Sequence, residues 1–204
     1  MSDHNRVTLC SYETHLAAYV AGTTETVSGG VKEWLDQALA GLPATARLVE
    51  IGSAFGRDAA YIAGRGYRIE CTDAAESFVT ELQRRGFAAR RFDLLTDRLT
   101  PGYDLILANA VLHHFDRAEF GAILTRLAAA LTPGGRLAFS LKRGAGEEWS
   151  EAKLGAPRFF CYWQPEQIED QLAAAGFSDW KIDAVKTGRA HADWLYTLAT
   201  TPPL

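Results

Sequence analysis

The stretch Leu48-Val49-Glu50-Ile51-Gly52-Ser53-Ala54-Phe55-Gly56-Arg57-Asp58, running on to Asp73, decides how this chain is read. The apolar run Leu48, Val49, Ile51 predicts a buried parallel strand that stops at glycine. Gly52 and Gly56 allow a sharp turn and a close approach of backbone to a ligand, which a Cβ would obstruct. Asp58 to Ala63 is helix-compatible, and Gly64 and Gly66 end that segment. Tyr67, Ile69 and Cys71 then alternate with Arg68 and Glu70 up to Thr72-Asp73, a second strand closed by an acid. Strand, glycine turn, helix, strand and terminal acid make a nucleotide-type βαβ unit. Its turn brings N–H groups and a helix N-terminus to the ligand, and its acid can accept both hydroxyls of a ribose.

The glycine spacing narrows the ligand. A dinucleotide fingerprint needs glycine at positions 54 and 57, which hold Ala54 and Arg57, and no G-x-x-x-x-G-K-[ST] phosphate loop is present. What stands at the turn is Glu50-x-Gly52-x-x-x-Gly56, which resembles motif I of the class I S-adenosylmethionine-dependent methyltransferases. That family usually has a further glycine where this chain has Ala54. The resemblance implies S-adenosylmethionine as cofactor, with Glu50, Gly52, Ala54 and Gly56 at its loop and Asp73 and Ala74 at its ribose. The plainer reading of the same residues is a βαβ unit with a different cofactor or none.

Composition sets outer bounds. A chain of 204 residues, 48% hydrophobic and 23% charged, is long enough for one ordinary globular domain. A net charge of −4 and the lack of a polybasic run argue against sequence-independent nucleic-acid binding. Cys10, Cys71 and Cys161 are far apart and odd in number, which suggests a reducing compartment. No signal core or membrane-length apolar stretch is evident, so the expectation is a cytoplasmic protein, monomer or homodimer, without membrane partners.

Before the central unit, residues 1–30 are polar and interrupted, with Tyr12 and Tyr19 seven apart, two helical turns on one face. Ordinary aromatic packing explains them. In small relatives of the methyltransferase family, an N-terminal segment with tyrosines folds over the cofactor, which would bring Tyr12 and Tyr19 to the methionine carboxylate. Val31, Trp34, Leu35, Ala38 and Leu39 then mark a core-facing helix.

Beyond it, Phe78, Val79 and Leu82 form another helix face, and Phe87 to Phe92 leads into Asp93-Leu94. Asp93 alone reads as a loop cap. The resemblance places it near the adenine amino group, with the backbone of Leu94 beside the ring. Tyr103 to Ala108 predicts a central strand running into Asn109-Ala110-Val111-Leu112-His113-His114-Phe115. Residues just past the carboxyl end of such a strand border the ligand crevice. The pattern D-L-I-x-x-N-x-V-L-H-H resembles motif IV of the family and its sequel, which implies Asn109 and Ala110 near the methionine amino group. It also implies one of His113 and His114 facing the transferred methyl. Phe120, Ile123, Leu124, Leu127 and Leu131 make a clear amphipathic helix, and L-x-P-G-G-x-L after it resembles the family's next motif.

From Arg143 to Trp163 the rhythm breaks. Arg143 to Trp149 predicts a loop, and Arg158-Phe159-Phe160-Cys161-Tyr162-Trp163 is aromatic-rich. These aromatics either pack as a small core of their own or wall an acceptor site, with Arg158 available to an anionic group. Pro165 opens a helix in its first turn, and Trp180 to Val185 and Trp194 to Ala199 predict a closing strand pair.

The expected fold is α/β: a Rossmann-like, doubly wound, mostly parallel seven-stranded sheet with a closing antiparallel strand and an N-terminal helical lid. The expected organisation is one domain over 1–204, with a cofactor lid at 1–30 and a substrate-side insertion at 143–163. The expected reaction is methyl transfer to a small-molecule acceptor by in-line displacement. His113 or His114 would act as base or orienting group, Arg158, Phe159, Phe160, Tyr162 and Trp163 would form the acceptor wall, and no metal takes part. Two alternatives stand beside it. One is a protein that binds S-adenosylmethionine without transferring methyl. The other is a nucleotide-dependent oxidoreductase, against which the missing fingerprint glycines count.

Overall fold

The computed structural model describes residues 2–186 and 193–204, so Met1 of the expected lid lies outside the described residues. Strands β1 (Leu48–Ile51), β2 (Ile69–Asp73), β3 (Ala89–Arg91), β4 (Tyr103–Ala108) and β5 (Leu131–Lys142) follow in chain order. They are succeeded by β6 (Glu147–Ser150), β7 (Arg158–Cys161), β8 (Asp179–Val185) and β9 (Trp194–Thr200). Seven of them form one sheet in the order β3-β2-β1-β4-β5-β9-β8, while β6 and β7 pair as a separate ribbon. The β3 to β5 half is parallel, with Leu48 opposite Ile69 on one side and Leu105 on the other. Strand β9 runs antiparallel between β5 and β8, with Lys142 opposite Trp194. This is the Rossmann-like sheet expected. Its order reverses between β1 and β4, which opens a crevice at their carboxyl ends.

Strand β4 reads as a continuous apolar run because both faces are covered. Leu105 and Leu107 pack with Trp34, Leu35 and Ala38 of helix α3 (Gly29–Leu39) and Ile62 of α4 (Arg57–Gly64). Ile106 and Ala108 face the other way, toward Phe120, Ile123, Leu124 and Leu127 of α6 (Arg117–Ala130) and Ile168 and Leu172 of α7 (Pro165–Ala174). Helix α5 (Glu76–Arg84) packs Leu82 against Cys71 and Ala59. Full burial of a Leu or Ile side chain stabilises by about 1.5–3 kcal/mol, so β4 is the most heavily anchored strand beside the crevice.

Three details differ from the sequence reading. Tyr12 and Tyr19 do not share one helix face: α1 (Asp3–Thr14) ends at His15, with φ −121°, and α2 (Leu16–Ala21) starts a new direction. The rings meet across that bend, edge to face at 5.6 Å. The expected loop Arg143 to Trp149 is partly strand, because Glu147 to Trp149 pair with Cys161 to Phe159. Leu131, expected on the amphipathic helix, instead starts the fifth strand, whose register against β4 shifts between Tyr103 and Leu105.

Candidate active site

At the glycine turn, Gly52 (φ +67°) and Gly56 (φ +86°) occupy the left-handed region. A Cβ on Gly52 would lie 2.3 Å from Val111 Cγ2, and one on Gly56 2.6 Å from Phe87 Cε2, so neither position tolerates a side chain. Ala54 has φ 49°, the conformation in which an L-residue is strained and a glycine is not. Asp73 secures this turn. Its Oδ2 accepts from the Ala54 N–H at 3.0 Å and its Oδ1 from the Ala75 N–H at 2.9 Å. Burial pushes the Asp73 carboxyl up to about 6, while those N–H donors pull the other way. Asp73 and Ala74 line a cavity that continues to Asp93 and Leu94. Asp93 does cap its loop, Oδ1 accepting from the Leu95 N–H at 2.9 Å, and it borders the cavity as well.

A second cavity adjoins the first and shares Tyr19, Gly52, Ala54, Asn109 and Ala110 with it. Asn109 is fixed at both ends: Nδ2 donates to Asp58 Oδ2 at 2.6 Å, and Oδ1 accepts from Ser140 Oγ at 2.6 Å. The Ala110 N–H donates to the same Ser140 Oγ at 2.8 Å, which holds Ala110 at φ 59°. Glu50 lies beside them, 2% exposed, with Oε2 buried and without a partner. Burial first, and then the neighbouring Asp58, pushes its carboxyl up to about 8. An orphaned carboxyl oxygen beside a fixed asparagine suits an incoming ammonium group, and Asp73 in the joined cavity suits a ribose. The donor set therefore fits S-adenosylmethionine.

At the other end, His114 lines the first cavity while His113 does not. His114 Nδ1 donates to the Phe159 carbonyl at 2.6 Å, so Nε2 is left as an acceptor and accepts a hydrogen bond from the Tyr12 hydroxyl at 2.9 Å. Burial pushes the His114 imidazole down to about 3. His113 is 2% exposed, packs on Phe160 and Trp194, has an unpartnered Nδ1, and is driven well below its usual value by burial and by His114.

The expected acceptor wall is redistributed. Arg158, Phe159, Phe160, Tyr162 and Trp163 line neither cavity directly. Trp163 is 1% exposed and stacks on Phe120 in the core. Phe159 packs on His4 and Trp149, and the Tyr162 hydroxyl donates to Glu148. Phe160 backs both histidines, and Arg158 donates to the Tyr12 hydroxyl at 3.3 Å. The cavity wall around His114 is supplied instead by Tyr12 and by Asn5, Thr8 and Leu9 of α1.

Sequence reading passed over Arg57, Asp58, Ser140 and Lys153. Asp58 carried a readable signal, an acid in the first turn after the glycine loop, whereas Ser140 and Lys153 are brought in by long-range packing alone. The fold also gathers His4, Asp116 and Glu119, with ligand-type atoms within 4.8 Å. Those groups are engaged in a helix cap: Asp116 Oδ1 accepts from the Glu119 N–H at 2.8 Å, and Glu119 Oε2 accepts from Asn5 Nδ2 at 2.8 Å.

A family model described as a methyltransferase domain matches residues 24–182. No curated protein matches the chain. Among solved structures, the chain is similar to 1,6-didemethyltoxoflavin-N1-methyltransferase of Burkholderia thailandensis with bound S-adenosylhomocysteine (TM-score 0.74, 22% identity, 99% of this chain and 91% of that one). It is similar to phosphoethanolamine N-methyltransferase 2 of Haemonchus contortus in complex with S-adenosylmethionine (TM-score 0.76, 14% identity, 99% of this chain). It is also similar to a possible exported protein of Bordetella parapertussis (TM-score 0.67, 18% identity, 84% of this chain). The chain spans 60% of the length of the Haemonchus protein and 66% of that of the Bordetella protein. With most of its length matched by the family model, on a sheet of this order, the chain belongs to the methyltransferase-domain family.

Proposed function

We propose that the protein works as a single domain that methylates a small-molecule acceptor in the chamber between α1 and the carboxyl end of β4. One observation carries the reading: His114, Tyr12, Asp73 and Asp93 line the same cavity. Asp73 holds the ribose, Asp93 and Leu94 the adenine, and Glu50 and Asn109 the amino-acid end. Bound S-adenosylmethionine supplies a methyl group activated on a sulfonium. The chain's own residues supply alignment and exclusion of water.

His114 enters with Nδ1–H committed to Phe159, so Nε2 accepts a hydrogen bond from a protonated nucleophile in the place the Tyr12 hydroxyl now takes. An imidazole held near 3 is neutral at physiological pH and a weak base. Its role is to orient the nucleophile and to take the proton as transfer makes it acidic. His113 backs it from inside the core. Residues up to about 30 act as a lid, because α1 and α2 place Tyr12 and Tyr19 over the cavity. Net charge −4 favours a small acceptor over nucleic acid. Among the described residues no helix is long and apolar enough to cross a membrane. The free thiols of Cys10, Cys71 and Cys161 favour a reducing, cytoplasmic setting.

The test is calorimetry with S-adenosylhomocysteine and NAD, followed by S-adenosylhomocysteine release across a panel of small acceptors. Binding of the sulfur nucleoside and turnover with at least one acceptor are expected. Tight cofactor retention with no turnover on a broad panel would replace catalysis by a binding role.

A further inference from the structure

Arg158 lies against Tyr12, 6% exposed. Among the described residues it forms no ion pair. Its Nη1 reaches the Tyr12 hydroxyl at 3.3 Å, its Nε has no partner, and the guanidinium carbon sits 5.1 Å from the Phe160 ring centroid. A buried guanidinium carries five donors and a full charge, and it is normally met by a carboxylate or phosphate. Here the neighbours are cations. Lys142 Nζ lies 3.8 Å from the centroid of the same Phe160 ring, and its ammonium is disfavoured by burial and then by Arg158. Lys153 Nζ lies 3.8 Å from the Tyr19 ring centroid and donates to Thr23 Oγ1 at 2.6 Å. Burial, then Arg158 and Arg57, push Lys153 down to about 8.

The distribution of partners is uneven. Arg57, at the cofactor loop, has its carboxylate, Asp58 Oδ1 at 2.7 Å. Arg158, Lys142 and Lys153, on the β5 end and the 143–163 insertion, form no ion pair among the described residues. The buried acids Glu50, Asp73 and Asp93 lie instead at the cofactor end, where Lys153 also borders the second cavity. The exposed Glu148 of the insertion favours the Lys142 ammonium. Arg158 also sits one side chain from the transfer point, since the hydroxyl it touches donates to His114 Nε2.

Resting on the methyltransferase reading above, we propose that Arg158, flanked by Lys142 and Lys153, is a subsite for an anionic group of the acceptor, a carboxylate or a phosphate. The acceptor is then a small molecule whose anion is held by these cations while its nucleophile faces His114. Displacement of Tyr12 from Arg158 and His114 would release both groups to one ligand.

The experiment titrates inorganic phosphate and acetate separately into protein saturated with S-adenosylhomocysteine, following amide shifts by NMR. At least one anion is expected to bind in the millimolar range. Arg158→Gln should weaken it tenfold or more, with Arg158→Lys recovering part, and the half-buried Lys142→Gln should weaken it several-fold without disturbing the fold. S-adenosylhomocysteine affinity should stay within about twofold. Equal anion binding by wild type and variants, or none in either, overturns the subsite. Variants that lose affinity for S-adenosylhomocysteine but not for 5′-methylthioadenosine, which lacks the amino-acid tail, also overturn it, because the cations then serve the cofactor's own carboxylate. Failure of wild-type protein to bind S-adenosylhomocysteine sinks the parent reading instead, and the two failures are separately visible.

Discussion

The Tyr12 hydroxyl donates to His114 Nε2 at 2.9 Å, tying the first helix of the chain to the segment that leaves its central strand. With Nδ1 held by Phe159, His114 has one free function, to accept, and the tyrosine already fills it. Tyr12→Phe frees that nitrogen and removes the contact to Arg158. Because the nucleophile takes the hydroxyl's place at Nε2, turnover should be retained in Tyr12→Phe, whereas His114→Ala should lower it roughly tenfold to hundredfold, the range for a positioned proton-transfer group. Steady-state kinetics decides it: an unchanged kcat in His114→Ala would reduce His114 to a wall of the site.

Asp73 secures the turn and, in the proposed function, holds the ribose. Asp73→Ala leaves the Ala54 and Ala75 N–H groups without their acceptor and should weaken S-adenosylhomocysteine binding by about 1.5–3 kcal/mol. Calorimetry reads this directly, and an unchanged affinity would mean that the ribose is held elsewhere.

Glu50 gives a pH signature. Its folded value of about 8 lies above the usual 4.5. The folded chain keeps the proton over that interval and the unfolded chain loses it. The associated stability is therefore complete below about 4.5 and is lost as pH rises through about 8. Glu50→Gln should make the cofactor-free protein more stable than wild type at pH 8.5, by roughly 2–5 kcal/mol, with little difference near pH 4.5. Thermal melts of both proteins across this range test it, and parallel curves would refute it. The same variant should bind S-adenosylhomocysteine more weakly.

Ala54 sits at φ 49°, where its Cβ costs about 1 kcal/mol that glycine does not incur. Glycine also loses more chain entropy on folding, so Ala54→Gly should leave the melting temperature unchanged or slightly higher and preserve cofactor affinity. Ala54→Val, with a branched side chain at positive φ, should lose 2 kcal/mol or more. A marked loss with glycine would show that the methyl group itself is required.

The lid predicts a change in exchange. If the proposed lid closes, amides in α1 and α2 should gain protection when S-adenosylhomocysteine binds, since Tyr12 and Tyr19 line the cavity. Hydrogen exchange with equal protection in both states would count against closure.

The nucleotide half of this molecule was legible because its chemistry is local. Gly52, Gly56 and Asp73 lie within one βαβ unit, and each is demanded by backbone geometry that sequence displays directly. The acceptor side was not legible in the same way. A run such as Phe159 to Trp163, four aromatics around Cys161, shows no polar alternation, so which side chains enter the core cannot be read from it. Trp163 goes to Phe120, a partner on a distant helix. Strand β6 has no apolar period, and it exists because β7 returns to pair with it. The tyrosine spacing pointed to one helix, whereas the bend at His15 makes two.

Helix α1 docks on the end of the chain that is made much later: Thr8 Oγ1 accepts from the Phe159 N–H at 3.0 Å, and Ser11 Oγ donates to the Pro157 carbonyl at 2.7 Å. Its buried positions, Asn5, Thr8 and Ser11, are all polar. During synthesis this helix leaves the ribosome well over a hundred residues before its docking strand exists. A greasy face would spend that interval seeking wrong partners or other nascent chains. A face made of hydroxyls and an amide can wait in water at little risk, and it can return to water whenever the mature protein opens.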